Sequence, residues 1–345
     1  MSLSTYLKAA VSLFALVLVF ACEKEYKAGG PIVTPNIVNN DDNSNENGIF
    51  IEESTKLSTV FNNEIAGDIQ TFTITAENTQ VIYTDRGIRL GIYGSPFVDK
   101  NGNEVTGEIT LELLEVYEKE DMLRYNKSTN AINHNQEAGL LISGGQLYVQ
   151  GYQNGEEIAI KDNASLSLEM PISSSIENPY QMSLWDGNVD QNGNITWETS
   201  AGFGQVYPAD SIDGTSLYGN LPNFGWINCD YWYSDPREKT DVTVDFSMLQ
   251  STEFSRISLK AYFAIADSKN LLGDFRAKEG TTFLFGSEYI PIGQELHVIV
   301  IGISDDDTMY YYIESIVVEE NHEVKVTSMQ PSNIDDIVEL VKNLE

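Results

Sequence analysis

Apolar and polar side chains alternate along much of the chain beyond residue 50. Three runs carry apolar residues at every second position: Ile109, Leu111 and Leu113; Leu166, Leu168 and Met170; and Val242, Val244 and Phe246. A period of two places the apolar side chains of a run on one face of a β-strand. We therefore predict a body built mainly from half-buried strands.

Turn signals separate these runs. Asn-Gly pairs at 101–102, 154–155 and 192–193 and an Asp-Gly pair at 213–214 supply the positive φ angles that tight hairpins need. Neighbouring strands joined in this way are antiparallel. The pattern predicts β-sandwiches rather than a parallel α/β sheet.

The predicted fold is mainly β, with two tandem antiparallel β-sandwich domains and a short C-terminal helix. Two domains are expected because 345 residues exceed the usual size of one. We place the first at residues 50–175 and the second at 180–330. The boundary lies in the stretch between Pro171 and Trp185, where serines and an Asn-Pro pair interrupt the strand pattern.

Two segments have helical character. Glu118 to Tyr125 is rich in helix formers and is predicted as a short helix crossing one end of a sandwich. Residues 332–345 are predicted as a terminal helix, with Ser332 as its N-cap and Asp335 three residues on. Its apolar face consists of Ile334, Ile337, Val338 and Val341.

The N-terminus has the pattern of an export signal. One positive residue precedes an apolar run of twelve residues, Ala9 to Phe20. That run is too short to span a bilayer and has the length of a signal-peptide core. Residues 22–49 that follow are mostly Gly, Pro, Asn, Asp and Ser, and are predicted to form a flexible acidic tether.

The end of the apolar run, Val19-Phe20-Ala21-Cys22, resembles the lipobox of bacterial lipoproteins. The resemblance implies cleavage after residue 21 and a lipid on Cys22 that anchors the chain to a membrane. Glu23-Lys24-Glu25 is similar to the surface-export signal of some Gram-negative lipoproteins, so the outer membrane is favoured and exposure at the cell surface is left open. The alternatives are an uncleaved N-terminal anchor and a plain secretory peptide.

Several segments of the predicted β body also resemble a known family. Phe97 to Gly107, Ser143-Gly144-Gly145 and Asn154-Gly155 resemble parts of an extracytoplasmic β-sandwich module of Gram-negative lipoproteins. The resemblance continues in Phe224 to Asp230, which in such proteins follows the first module and opens a second set of strands. More distantly, the first module is similar to the sandwich domain of ankyrins and netrin receptors, a protein-interaction fold. The resemblance implies an architecture without catalytic activity.

The charge is strongly acidic, with 52 acidic residues against 20 basic ones and a net charge of -32. Such a surface repels phosphate, so we do not expect nucleic acid as a partner. The acidity favours either uptake of a divalent cation or simple solvation of exposed sheet faces. The three histidines are isolated from one another and from cysteine, so no zinc site is predicted.

Calcium is the one cofactor for which a candidate site exists. The spacing of an EF-hand-like loop recurs in Asn188, Asp190, Asn192, Asn194 and Glu198. A polar hairpin turn explains the same residues without a metal. Asp305-Asp306-Asp307 is a second candidate with the same alternative.

The densest group of aromatic residues lies near Phe224 and includes Trp226, Tyr231, Trp232 and Tyr233. Exposed rings could stack on sugars or on a partner protein, whereas buried rings are ordinary core. Strand alternation favours the core. Cys229 is predicted as a small buried apolar residue rather than a nucleophile.

No phosphate-binding loop, nucleophile elbow or helical zinc-protease motif is present. The sequence therefore predicts a noncatalytic, lipid-anchored envelope protein that binds a protein or a glycan at the cell surface. Two alternatives stay open. One is a carbohydrate-active or other hydrolytic enzyme with two acids near the aromatic group at 224–233, and the other is a structural component of the envelope.

Overall fold

Strands make up most of the chain, as the alternation predicts. The computed structural model of the protein describes residues 56–172, 176–190, 193–200, 206–211, 214–249, 259–278 and 283–345. The described helices are α1 (Lys56–Asp68), α2 (Lys119–Arg124) and α3 (Ile334–Lys342), with 3-10 turns at Pro179–Gln181 and Ser247–Leu249. The described strands are β1 (Gln70–Thr75), β2 (Gln80–Tyr83), β3 (Arg89–Ile92), β4 (Phe97–Val98), β5 (Glu108–Val116), β6 (Asn130–Ile132), β7 (Ala138–Gln153), β8 (Glu156–Ile160), β9 (Leu166–Pro171), β10 (Ser183–Val189), β11 (Ile195–Thr199), β12 (Tyr207–Ser211), β13 (Gly214–Leu221), β14 (Gly225–Trp232), β15 (Lys239–Asp245), β16 (Leu259–Ile265), β17 (Leu272–Ala277), β18 (Leu284–Pro291), β19 (Glu295–Ile303), β20 (Met309–Val317), β21 (His322–Lys325) and β22 (Gln330–Ser332).

The described strands form three sheets. Sheet 1 has the order β1-β5-β7-β14-β10-β11-β6, with β8 beside β7 and β4 beside β8. Sheet 2 has the order β12-β13-β9-β3-β2, and sheet 3 the order β21-β15-β18-β17-β16-β19-β20-β22. The described pairs are antiparallel except β6 with β11 and β15 with β21. The predicted mainly β fold with a short C-terminal helix is confirmed.

Sheets 1 and 2 pack face to face as a β-sandwich. The alternating apolar positions predicted from the sequence point into its core, and each buried side chain of this size contributes about 1.5–3 kcal/mol. They are Ile109, Leu111 and Leu113 from β5 and Leu166, Leu168 and Met170 from β9.

A glycine pair introduces a β-bulge into β7, the long central strand of sheet 1. Asn228 of β14 pairs with Gln146, but Asp230 pairs with Ser143, so β7 has one extra residue at this point. Gly145 there has a φ of 147°, and a Cβ would lie 2.8 Å from a tyrosine ring carbon of the core. Only glycine fits at this position.

Sheet 3 folds over on itself and encloses a second core. β17 turns the corner, because its residues 272–275 pair with β16 and its residues 276–277 pair with β18. The predicted alternating run of β15 faces this core from one side, and β16 and β19 face it from the other. Its members include Val242, Val244 and Phe246, and Phe263, Val298 and Val300.

A third apolar core joins the outer face of sheet 1 to sheet 3. Trp197 and Trp226 from sheet 1 share one buried cluster with Tyr262, Ile299 and Ile301 from sheet 3. All described residues belong to one compact unit of the chain. The helices pack on this core through Leu57, Phe61 and Ile65 of α1, Met122 and Leu123 of α2, and Ile337, Val338 and Val341 of α3.

The structure differs from the predicted division at residues 175–180. β10, β11 and β14 follow that point, yet all three pair within sheet 1, while β12 and β13 pair within sheet 2. The chain passes from the sandwich to sheet 3 between β14 and β15, at residues 233–238. The stretch predicted as a domain boundary is instead a connection from β9 in sheet 2 to β10 in sheet 1. Turn residues show that a strand ends, but they do not show which sheet the next strand joins.

Both predicted helices are present. α2 lies inside the predicted segment, with Glu118 as its N-cap. α3 begins one residue later than predicted, because its N-cap is Asn333, whose side chain accepts a hydrogen bond from the backbone N–H of Asp336. Ser332, the predicted cap, is the last residue of β22.

α1 is an element that the strand alternation does not predict. Its buried apolar residues recur every fourth position, which is a helical spacing. They are Leu57, Phe61 and Ile65.

The predicted hairpin turns are confirmed where the structure describes them. Asn154 and Gly155 join β7 to β8 with φ angles of 53° and 80°. Gly102 and Gly193 also have positive φ, at 81° and 75°. Residue 213 lies outside the described residues.

Candidate binding face

Five side chains line up across the outer face of sheet 2, one from each strand. Tyr83 of β2 is opposite Arg89 of β3, and Arg89 is opposite Glu169 of β9. Glu169 is opposite Tyr218 of β13, and Tyr218 is opposite Tyr207 of β12. Directly opposed residues of antiparallel strands project from the same face. The five therefore form a row that crosses the whole sheet.

Strand alternation turns this row towards solvent. The chain neighbours of the row residues lie in the sandwich core, and successive side chains of a strand point to opposite faces. Tyr83 is 65% exposed and Tyr207 is 61% exposed, whereas Arg89, Glu169 and Tyr218 are half-buried. The core neighbours are Ile82, Leu90, Leu168 and Leu217.

A sixth side chain, Tyr93, folds back over the same surface. It follows β3 and is 50% exposed. A Cβ on Gly91 would lie 2.7 Å from a ring carbon of Tyr93, so the absence of a side chain at Gly91 makes room for the ring. We call the six residues the tyrosine face: Tyr83, Arg89, Tyr93, Glu169, Tyr207 and Tyr218.

The centre of the tyrosine face is a polar pair. Nη1 of Arg89 lies 3.8 Å from Oε2 of Glu169, and the hydroxyl of Tyr218 donates to Oε1 of Glu169 at 2.8 Å. Hydrogen bonds with Tyr83 and Tyr93 raise the pKa of Arg89, and the hydrogen bond to Glu169 raises the pKa of Tyr218. The guanidinium, the carboxylate and the phenol groups therefore hold one another in place.

This combination of groups suits a ligand with both apolar faces and hydroxyls. Tyrosine rings supply flat contact area at a small cost in side-chain entropy. Arg89 can only donate hydrogen bonds, and the ionised Glu169 can only accept them. The tyrosine face therefore offers flat rings beside a fixed hydrogen-bond donor and a fixed acceptor. Among the described residues, no group of three or more His, Cys, Asp or Glu is placed to hold a metal ion.

The aromatic residues singled out from the sequence lie elsewhere. Trp226 and Tyr231 are buried, at 6% and 8% exposed, and Trp232 and Tyr233 are half-buried. Trp232 stacks on Trp185 with ring centroids 6.2 Å apart. These rings pack in the cores of the molecule rather than presenting flat faces to solvent.

Two of the segments that carry the body's sequence resemblance, Ser143 to Gly145 and Phe224 to Asp230, meet at a buried carboxyl group. Asp230 is fully buried, and its Oδ1 accepts the N–H of Gly144 at 3.2 Å, while its Oδ2 accepts the side-chain amide of Asn228. Ser143 donates to Asn228 at 3.0 Å. Burial raises the pKa of Asp230 well above its ordinary value. The network ties β7 to β14 at the bulge and is closed to solvent.

The hydrolytic alternative needs two carboxyl groups beside accessible rings in the segment 224–233. Asp230 is shut off from water there, and Trp226 and Tyr231 are buried. Asp230, the only carboxyl group of residues 224–233, is therefore not accessible to a substrate.

The described members of the candidate calcium loop form a hairpin turn. Both carboxylate oxygens of Asp190 accept hydrogen bonds from Asn194, each at 2.9 Å. Asn188 pairs along the hairpin ladder, and Glu198 pairs with Asp186. Four residues of strand, about 13 Å, separate Asp186 from the turn residue Asp190. Glu198 is therefore too far away to close the loop as a bidentate ligand.

Cationic side chains meet beside this turn, where sheets 1 and 3 join. Lys127 is 4% exposed, and its ammonium lies 5.2 Å from the ring centroid of Trp226. Burial lowers the pKa of Lys127 to about 7 and that of Lys260 to about 8. Arg276 is paired with Asp274 at 2.8 Å. This junction contains buried charge that costs free energy unless it is compensated.

Some predicted residues lie outside the described part of the chain. They are Cys22 with the signal and tether segments, and Asn192 of the calcium set. Cys229 is buried, and burial raises the pKa of its thiol, which disfavours the nucleophilic thiolate.

Sequence reasoning missed the tyrosine face, although a signal was present. Tyr83, Tyr93 and Tyr218 each directly follow a buried apolar residue, and the alternation of a strand therefore places them on the outward face. Tyrosine at several outward positions is unusual for a merely solvated sheet, whose exposed positions are mostly polar or charged.

No family model matches this sequence, and no curated protein matches it either. Among the described helices, none combines the length and the apolar character needed to cross a bilayer.

Proposed function

We propose that this protein is a noncatalytic envelope lipoprotein, anchored through a lipid on Cys22, that binds carbohydrate on the tyrosine face. The anchor is inferred from the apolar run and the tetrapeptide ending at Cys22. A lipid anchor would hold the protein at the outer membrane without a membrane-binding surface on the body. The tether would hold the tyrosine face away from the bilayer.

The observation that carries the binding proposal is the set of exposed rings around one ion pair. Contiguous exposed aromatic surface with a few fixed polar groups marks a binding site rather than a bare sheet face. Sugars offer apolar C–H faces to rings and hydroxyls to charged groups. A protein partner is the other class of ligand that such a face would suit, and the experiment below separates the two.

The binding part is tested by native gel electrophoresis of the detergent-solubilised full chain through gels that contain dissolved polysaccharides. We expect at least one polysaccharide to retard the protein. The double variant Tyr83→Ala/Tyr207→Ala is expected to bind about tenfold more weakly or worse, since each lost ring stack is worth roughly 1 kcal/mol. Tyr180→Ala is the matched control, because Tyr180 is 85% exposed and lies outside the tyrosine face.

Retardation that the double variant retains in full would refute the assignment of the face. A chain that no polysaccharide retards would refute carbohydrate as the ligand and leave a protein partner.

The anchor is tested separately, by growing cells that produce the protein with labelled palmitate. We expect the label to enter the wild-type chain and not the Cys22→Ala variant. Equal labelling of both would remove the anchor.

A further inference from the structure

The tyrosine face is a row that runs across the strands of sheet 2. Neighbouring strands lie about 4.8 Å apart, so the four steps from Tyr83 to Tyr207 span about 19 Å. An exposed ring stands at each end of the row, and the Arg89–Glu169 pair lies between them. One sugar ring is much shorter than this span. A ligand that uses the whole row must therefore contain several sugar units.

We infer that the ligand is a linear, uncharged glycan that lies across the strands and contacts both end rings with different sugar units. This inference rests on the proposed function and specifies its substrate class. A single sugar, or a branched glycan whose arms are all shorter than the row, would reach one end of the row and leave the other exposed.

Charge selects against an anionic glycan. The only cation of the tyrosine face, Arg89, is already paired with Glu169, and the chain has a net charge of -32. A polyuronate or sulfated glycan would meet repulsion from Glu169 and from the acidic surface as a whole. The hydroxyls of an uncharged sugar can accept from the guanidinium and donate to the carboxylate, so they use both members of the pair.

The twist of the sheet adds a length requirement. At the average twist of about 20–25° between adjacent strands, four steps amount to a rotation of roughly 80–100° between the two ends of such a row. A disaccharide cannot follow that rotation and reach both ends. Affinity should therefore rise with chain length until the glycan spans the row.

The test is calorimetric titration of the detergent-solubilised full chain with uncharged gluco-oligosaccharides of increasing length, in the β-1,3-, β-1,4- and α-1,4-linked series. Oligogalacturonides of the same lengths serve as the anionic comparison. For at least one uncharged series, we expect Kd to fall about tenfold between the disaccharide and the chain that spans the row. We expect Tyr207→Ala to abolish that gain, so that this variant binds the long chains no more tightly than it binds the disaccharide.

Three results would overturn the inference: a Kd that does not depend on length, tighter binding of the oligogalacturonides, or no binding of any uncharged series. None of them alone refutes the proposed function, which is judged separately by the gel assay and the Tyr83→Ala/Tyr207→Ala variant. Tyr180→Ala again serves as the control and should bind every series as the wild-type chain does.

Discussion

At the scale of single residues, two glycines make room for aromatic rings. Gly145 sits in the bulge of β7 with positive φ, against the ring of Tyr117. Gly91 lies under the ring of Tyr93 on the tyrosine face. A side chain at either position would collide with its neighbour. One glycine therefore supports the core, and the other supports the candidate site.

Lys127 and Lys260 should both make stability depend on pH near neutrality, and the pKa of Lys127 is the more strongly lowered of the two. The pKa of Lys127 is lowered to about 7 in the folded chain by burial, whereas an unfolded lysine titrates near 10.4. Between these values the unfolded state binds the proton and the folded state does not. The free energy of unfolding therefore rises with pH through this window, and falls as pH is lowered from about 10 to 7.

We expect Lys127→Met to be more stable than the wild-type chain at pH 7 and to show a shallower rise of stability from pH 7 to 9. One proton contributes at most about 1.4 kcal/mol per pH unit to that slope. The measurement is urea denaturation at pH 7, 8 and 9. Lys325→Met is the control, because Lys325 is exposed, and its slope should match that of the wild type. A Lys127→Met slope equal to the wild-type slope would show that the lysine is hydrated in the folded protein.

At the scale of elements, local sequence determines helices and strands well but places their ends less accurately. α3 illustrates this: Ser332 and Asn333 are both good capping residues by type. The pairing of Gln330–Ser332 with β20 holds Ser332 in a strand, so the cap falls to Asn333.

This difference can be measured by two alanine substitutions. Asn333→Ala removes the acceptor for the Asp336 N–H and should lower the free energy of unfolding by about 1 kcal/mol. Ser332→Ala should change it by less than half as much, because the Ser332 hydroxyl lies 3.5 Å from its acceptor, too long for a strong bond. Thermal denaturation of both variants provides the comparison. A larger loss of unfolding free energy in Ser332→Ala than in Asn333→Ala would show that Ser332 is the N-cap, as the sequence predicts.

At the scale of the whole molecule, three cores are connected. The third core contains residues of sheet 1, sheet 3 and all three described helices. Sheet 3 and the sandwich therefore bury apolar surface against each other, so the folded state of each part is stabilised by contact with the other. Separate unfolding would expose the third core to water on both sides, at a cost set by its apolar area.

We therefore expect a single cooperative unfolding transition, with the calorimetric enthalpy equal to the van't Hoff enthalpy. Ile301→Ala, which opens a cavity in the third core, should shift the entire transition by about 2–5 kcal/mol. Tyr83→Ala should leave it unchanged, because Tyr83 is exposed. Two resolved transitions, with only one moved by Ile301→Ala, would show that the two parts unfold independently.

Within the described residues, the sequence by itself determined the mainly β class, the inward face of β5, β9 and β15, the Asn154-Gly155 hairpin and the positions of α2 and α3. These features depend on residues close together in the chain, because side-chain periodicity and turn conformation are local properties. The same holds for the outward direction of Tyr83 and Tyr218, once their strands are known.

Only the tertiary structure decided which sheet each strand joins, and so where the sandwich ends. It alone brought Tyr83 and Tyr207, more than a hundred residues apart, into one row with Arg89 and Glu169 between them. Strands pair through backbone hydrogen bonds, and every residue except proline has the same backbone donor and acceptor. The side-chain pattern of a strand therefore does not show which other strand it pairs with. The burial of Trp226 and Trp232 was decided in the same way, by the packing of sheet 3 and the helices against the outer face of sheet 1.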